Sequence, residues 1–147
     1  SLFLTKKFFS SNPPKNVEKE LFCTFINEKL ADLKSKKLNK VIFGVGGTFT
    51  TLAFLLSGAK EYNSESINGF RLFINEIENF FTKIEFLSYE DILKTYTIEE
   101  GREKVLLGGV LEVLTIMHSL NIYEVTASDV SLLEGIIPFS KKNVVSS

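Results

Sequence analysis

Cysteine is almost absent: Cys23 stands alone among 147 residues, so no internal disulfide can form. It falls within a helical apolar pattern and reads as a small buried hydrophobe. Tryptophan is missing altogether, whereas phenylalanine is frequent, at 14. Net charge is nearly cancelled, at −1, so nothing electrostatic recruits nucleic acid or an anionic membrane surface. No segment reaches the ~18 consecutive apolar residues of a membrane span. Lys6 and Lys7 interrupt the short N-terminal apolar run, which excludes a signal-peptide layout, and a soluble, cytoplasmic protein is expected. The lone histidine, His118, has no evident nucleophile or metal partner and reads as a packing residue. No metal-ligand cluster, catalytic triad or nucleophile elbow is present.

What is present is a globular composition, 44% apolar and 24% charged, in a length suited to one domain with a core of its own. Residues 1–9 read as a strand that begins inside an apolar run, as though the chain were a piece of a larger fold. Pro13 and Pro14 punctuate it. Val17, Leu21 and Phe25, then Ile26, Leu30 and Leu33, recur at helical spacing over 15–36 and predict one buried helix face. Lys34, Lys36, Lys37 and Lys40 close that helix, where cations complement its carbonyl end.

Val41-Ile42-Phe43 has the wholly apolar character of a strand covered on both faces. After it come a glycine turn, a helix over 49–56, a polar loop over 59–68 and an extended stretch at 70–74. Asn75-x-x-Glu78 and Ser88-x-x-Asp91 look like helix starts. Thr97-x-x-Glu100 predicts the start of a long buried helix through Leu120, with Gly108 and Gly109 inside it for close packing. Ile122–Thr126 reads as a strand, Ser128 as the cap of a last helix through Ile136, and 140–147 as a frayed tail. The expected class is α/β, a small mixed sheet flanked by helices, with too few strands for its helices.

The turn Gly44-Val45-Gly46-Gly47-Thr48 joins a strand to a helix. Successive amides at a helix N-terminus, reinforced by the dipole, favour an anion such as phosphate. The Thr48 hydroxyl can cap the helix or touch that phosphate. No lysine follows, which rules out a Walker A loop; Phe49 stands where a dinucleotide fold needs its third glycine. The spacing is equally compatible with a tight structural turn. Arg71 and Arg102 are the only arginines among 17 basic residues. Arg102 suits bidentate phosphate contact or a surface salt bridge with Glu99 or Glu103. Ser128-Asp129 lies where a strand gives way to a helix, the usual place for ligand groups in an open sheet, or simply a cap.

Taken in order, these segments resemble the Ppx/GppA family of exopolyphosphatases and guanosine pentaphosphate phosphohydrolases. Residues 44–53 are similar to its G-V-G-G-T-x-T-T-L-A, and Asn68-Gly69-Phe70-Arg71-Leu72 to its H-G-Y-R-L. Gly101-Arg102 through Gly109, then Val125–Asp129 and Glu134-Gly135, resemble its arginine helix and closing V-S-D-R-G-L-R-E-G; Leu4–Phe9 with the proline pair resembles its L-T-E-K-F-F. The resemblance implies a partial actin-like (ribonuclease H-like, ASKHA) domain, the later part of a second domain. The first domain, with the catalytic glutamate, and a D-x-G-G-G-S hairpin would then lie outside this chain. It implies a hydrolase that cleaves terminal phosphoanhydrides of polyphosphate or guanosine pentaphosphate, working with Mg2+ whose ligands are not in this chain. Gly46, Gly47, Thr48 and Arg102, with Arg71 after them, are the substrate-binding residues so implied. Polyphosphate or guanosine tetra- or pentaphosphate and the parent's first domain are the implied partners, and an exposed sheet edge makes a homodimer an expectation too.

The closing motif departs from the family at Val130, Ser131 and Leu133, where two arginines and a glycine are usual, and Lys104 replaces a common acidic residue. A non-catalytic phosphate- or nucleotide-binding regulatory module is therefore the alternative, and a sugar- or acetate-kinase relative a third reading.

Overall fold

The computed structural model describes residues 1–38, 41–129 and 144–146. Its centre is the helix α7 (Glu103–Ser119), which is buried over most of its circumference because its sequence is apolar on every face. Around it pack α1 (Leu2–Phe8), α2 (Asn16–Lys29), α3 (Gly47–Ser57), α5 (Ile74–Ile84) and α6 (Tyr89–Thr95). A single turn, α4 (Ser64–Ile67), completes the described helices.

The mixed sheet is ordered β2-β3-β1-β4. Here β1 is Phe43–Val45, β2 Arg71–Phe73, β3 Glu124–Ser128 and β4 Val144–Ser146. β1 runs parallel to both β3 and β4, with Gly44 opposite Ala127 on one side and Val145 on the other. β2 lies antiparallel on β3, Leu72 opposite Val125. The main core lies between the sheet, α3, α5, α6 and α7, and includes Phe49, Leu52, Leu72, Ile77, Val110 and Met117. A second cluster of Phe22, Ile26 and Leu111 joins α1 and α2 to the far side of α7.

Several expectations are corrected. In place of the strand expected over 1–9, Leu2–Phe8 is a helix: Thr5 is buried against Gly108, and the Phe8 and Phe9 rings meet Phe22 at 6.0 and 5.0 Å. Burial on α7 outweighs the strand-like local pattern. The first strand lies two residues later than expected, running into the glycine turn, and Val41 is exposed. In α2 the buried stripe is Phe22 and Ile26 with Glu18 and Lys19, while Val17 and Leu21 face outwards. The helix stops at Lys29.

The sequence choice of N-caps is also revised. α5 starts at Ile74, with Phe73 rather than Asn75 at the N-cap position and no side-chain capping bond. α7 starts at Glu103 rather than near Thr97, with the Glu103 carboxylate accepting from the Gly101 N–H at 2.6 Å. Ser88 does cap α6, accepting from Asp91 N–H. Residues 144–146 are a strand and not a frayed tail. The helix expected after Ser128 lies outside the described residues; Ser128 itself ends β3.

The glycine turn and Arg102 as a candidate anion site

Strands β1 and β3 are parallel, so Val45 and Ser128 end at the same edge of the sheet. The chain leaves β1 through Gly46, whose φ of 121° and extended ψ lie where side-chain-bearing residues are strained. α3 begins at once with Gly47. The first intrahelical bond runs from the Thr50 N–H to the Gly46 carbonyl at 3.2 Å. The amides of Gly47, Thr48 and Phe49 therefore have no carbonyl acceptor within the helix, and they gather at its positive end. Phe49 explains the preceding glycine: its ring lies where a Cβ of Gly44 would be.

Arg102 closes the site. Its guanidinium rests against Gly47, in the space a side chain at residue 47 would fill. The salt-bridge alternative is slight: Glu99 stands 3.8 Å away with its side chain 82% exposed, and Glu103 is engaged with Gly101. The structure thus brings Gly46, Gly47, the Thr48 backbone and Arg102 together.

It does not bring Arg71 to them. Arg71 lies on β2, pairs with Glu124 at 2.5 Å and covers the Phe73 ring; Glu124 holds its pKa above the ordinary arginine value. The Thr48 hydroxyl is no cap either. It is buried against Gly109 of α7, within 3.4 Å of the Ser1 hydroxyl, so Thr48 offers its amide rather than its oxygen. Asp129 sits at the same sheet edge, its N–H donating to Asn68 Oδ1 at 2.7 Å. His118 is not a packing residue: its side chain is 60% exposed and Nε2 meets Glu78 Oε1 at 2.6 Å. Cys23 is only partly buried, and its sulfur accepts from the Thr115 hydroxyl at 3.4 Å.

Beside the turn opens a cavity of about 610 Å³ whose lining includes Thr50, Phe54, Lys60, Tyr62 and Arg102. Sequence reading missed it, because Lys60 and Tyr62 belong to no motif, Thr97 reads there only as a helix start, and only folding places them in one cavity with Arg102. A divalent cation does not fit the turn, which offers amide donors and a guanidinium. Among the described residues no group of three or more acidic, histidine or cysteine side chains is placed to hold a metal.

The Ppx/GppA phosphatase family model matches residues 2–143. The chain belongs to the Ppx/GppA family. Solved members agree: the Aquifex aeolicus PPX-GPPA enzyme is 30% identical with a TM-score of 0.80, over 86% of this chain and 42% of that one. The type II variant of the Aquifex aeolicus Ppx/GppA phosphatase is 27% identical with a TM-score of 0.82, over 92% and 47%. An exopolyphosphatase-like protein, 22% identical with a TM-score of 0.75 over 86% and 43%, shares the fold. No curated protein matches. The chain thus spans less than half the length of these solved Ppx/GppA chains. It has the actin-like fold of part of such a protein, and no described helix is long and apolar enough to cross a membrane.

Proposed function

We propose that this chain supplies the phosphate-gripping half of a cleft in a hydrolase that cleaves terminal phosphoanhydrides of polyphosphate or guanosine pentaphosphate. The observation that carries the reading is the Arg102 guanidinium seated on Gly47, beside amides at a helix N-terminus that have no acceptor within the helix. Cleaving an anhydride builds negative charge on the departing phosphate. Fixed amides and a guanidinium stabilise that charge without reorganising. Gly46 and Gly47 let the phosphate approach the backbone, and Arg102 contributes a bidentate donor. The attacking water and its base would come from the rest of the cleft, as would ligands for the Mg2+ that the family resemblance implies.

A second reading, non-catalytic nucleotide binding, draws on the neighbouring cavity, where Phe54 and Tyr62 pair with ring centres 6.0 Å apart and offer aromatic surface to a base. Assay of the full-length protein with Mg2+ separates the two. Release of phosphate from polyphosphate or guanosine pentaphosphate supports hydrolysis, whereas tight nucleotide binding without turnover selects the second reading. A protein inert to both substrates and without anion affinity removes both.

A further inference from the structure

The cavity beside the turn is chemically continuous with it. Arg102 and Thr51 line both the recess at Gly47 and the larger cavity, so a ligand passes from one to the other without leaving their reach. Lys60, from the segment after α3, lines the larger cavity but not the recess. No ion pair or hydrogen bond engages its ammonium among the described residues. Thr51 and Thr97 line the same space. Among the described residues Glu99 is the one carboxylate in this lining; it is mostly exposed and loosely paired with Arg102, so the described lining sets two cations against one anion.

Resting on the reading of the turn as a phosphate site, we propose that Lys60 marks a second phosphate subsite. It holds a further phosphate of an extended polyanion whose end lies on Gly46–Thr48, with Arg102 between the two. Lys60 is then a specificity residue that favours long chains over short ones. Thr51 and Thr97 add hydroxyl donors along the path, and Tyr62 walls it. A single exposed cation contributes modestly and is screened by salt, so the preference is graded and strongest at low ionic strength.

Amide-resolved titration of the full-length protein at low salt, with pyrophosphate, tripolyphosphate and long-chain polyphosphate in turn, tests this. Pyrophosphate should move the amides of residues 46–48 equally in the wild type and in Lys60→Ala. Long chains should bind more tightly to the wild type. Lys60→Ala should remove about threefold to fivefold of that affinity, the worth of one exposed ion pair, while Lys60→Arg keeps it and Glu99→Gln strengthens it. If long chains gain nothing over pyrophosphate, or Lys60→Ala leaves them unchanged, the second subsite is wrong while the turn stands. The same holds if a guanosine phosphate places its base against Phe54 and Tyr62 and is indifferent to Lys60. If pyrophosphate leaves residues 46–48 unmoved, the phosphate turn fails and the subsite with it.

Discussion

Gly47 is a glycine because Arg102 occupies the place of its side chain. The clash that a Cβ would cause falls on the end of a flexible side chain, so Arg102 can swing away at little cost to folding. Gly47→Ala is therefore expected to leave the melting temperature near wild type while pyrophosphate affinity falls severalfold, read by calorimetric titration. A large loss of stability with unchanged affinity would contradict this account. Gly46 behaves oppositely: at φ 121° any Cβ is strained, and Gly46→Ala should cost about 1–3 kcal/mol in denaturant unfolding. The two glycines look alike in the sequence, and Arg102 was already singled out there as a phosphate ligand. What the sequence could not show is that one glycine serves backbone conformation and the other serves Arg102.

In α7, the pair Gly108-Gly109 was legible as a sign of close packing, but its partners were not. Gly108 faces Thr5 of α1 and Gly109 faces Thr48 of α3, residues far away in the chain. Alanine is the better helix former by about 1 kcal/mol, yet overpacking costs about 1–3 kcal/mol. Gly109→Ala should thus lower stability by up to about 2 kcal/mol, and adding Thr48→Ala should recover most of it in a double-mutant cycle. At the start of α2, Glu18 accepts from the hydroxyls of Ser10 and Ser11 and from the amides of Ser10, Ser11 and Lys15. The serine hydroxyls above all, then the Lys15 and Ser10 amides, hold its carboxyl well below the usual carboxylate range. A depressed carboxylate adds stability that is in place above its ordinary value of 4.5 and lost as pH falls towards the folded value. Acid unfolding of the wild type should steepen below that pH, and Glu18→Gln should lower stability at neutral pH while flattening the acid limb. An unaltered acid profile would remove Glu18 from the account. This element hid from sequence reading because the glutamate sits on the helix's buried side, where the periodicity placed only apolar residues.

For the whole molecule, α7 joins two cores, the sheet-side cluster and the α1–α2 cluster. Met117, 1% exposed in the first, has no polar role, so Met117→Ala should cost about 2–5 kcal/mol. Because both layers rest on α7, the loss should appear as one shifted cooperative transition when helix signal and tyrosine fluorescence are followed together. Two separated transitions would show that the layers unfold independently.

The sequence alone determined the family, through ordered motifs, and the α/β class, through a short apolar strand, a glycine turn and a long apolar helix. It also located the turn, because glycine spacing and a helix start are local properties of the backbone. Tertiary structure decided the rest. It made residues 2–8 a helix because Thr5 is buried against α7 and Leu4 and Phe8 pack, half-buried, on the Phe22 cluster, contacts no local pattern encodes. It turned the Thr48 hydroxyl inward, tied Arg71 to Glu124, and set Lys60 beside Arg102. A side chain's partner depends on which distant segments pack against it, and that is settled only when the layers close around α7.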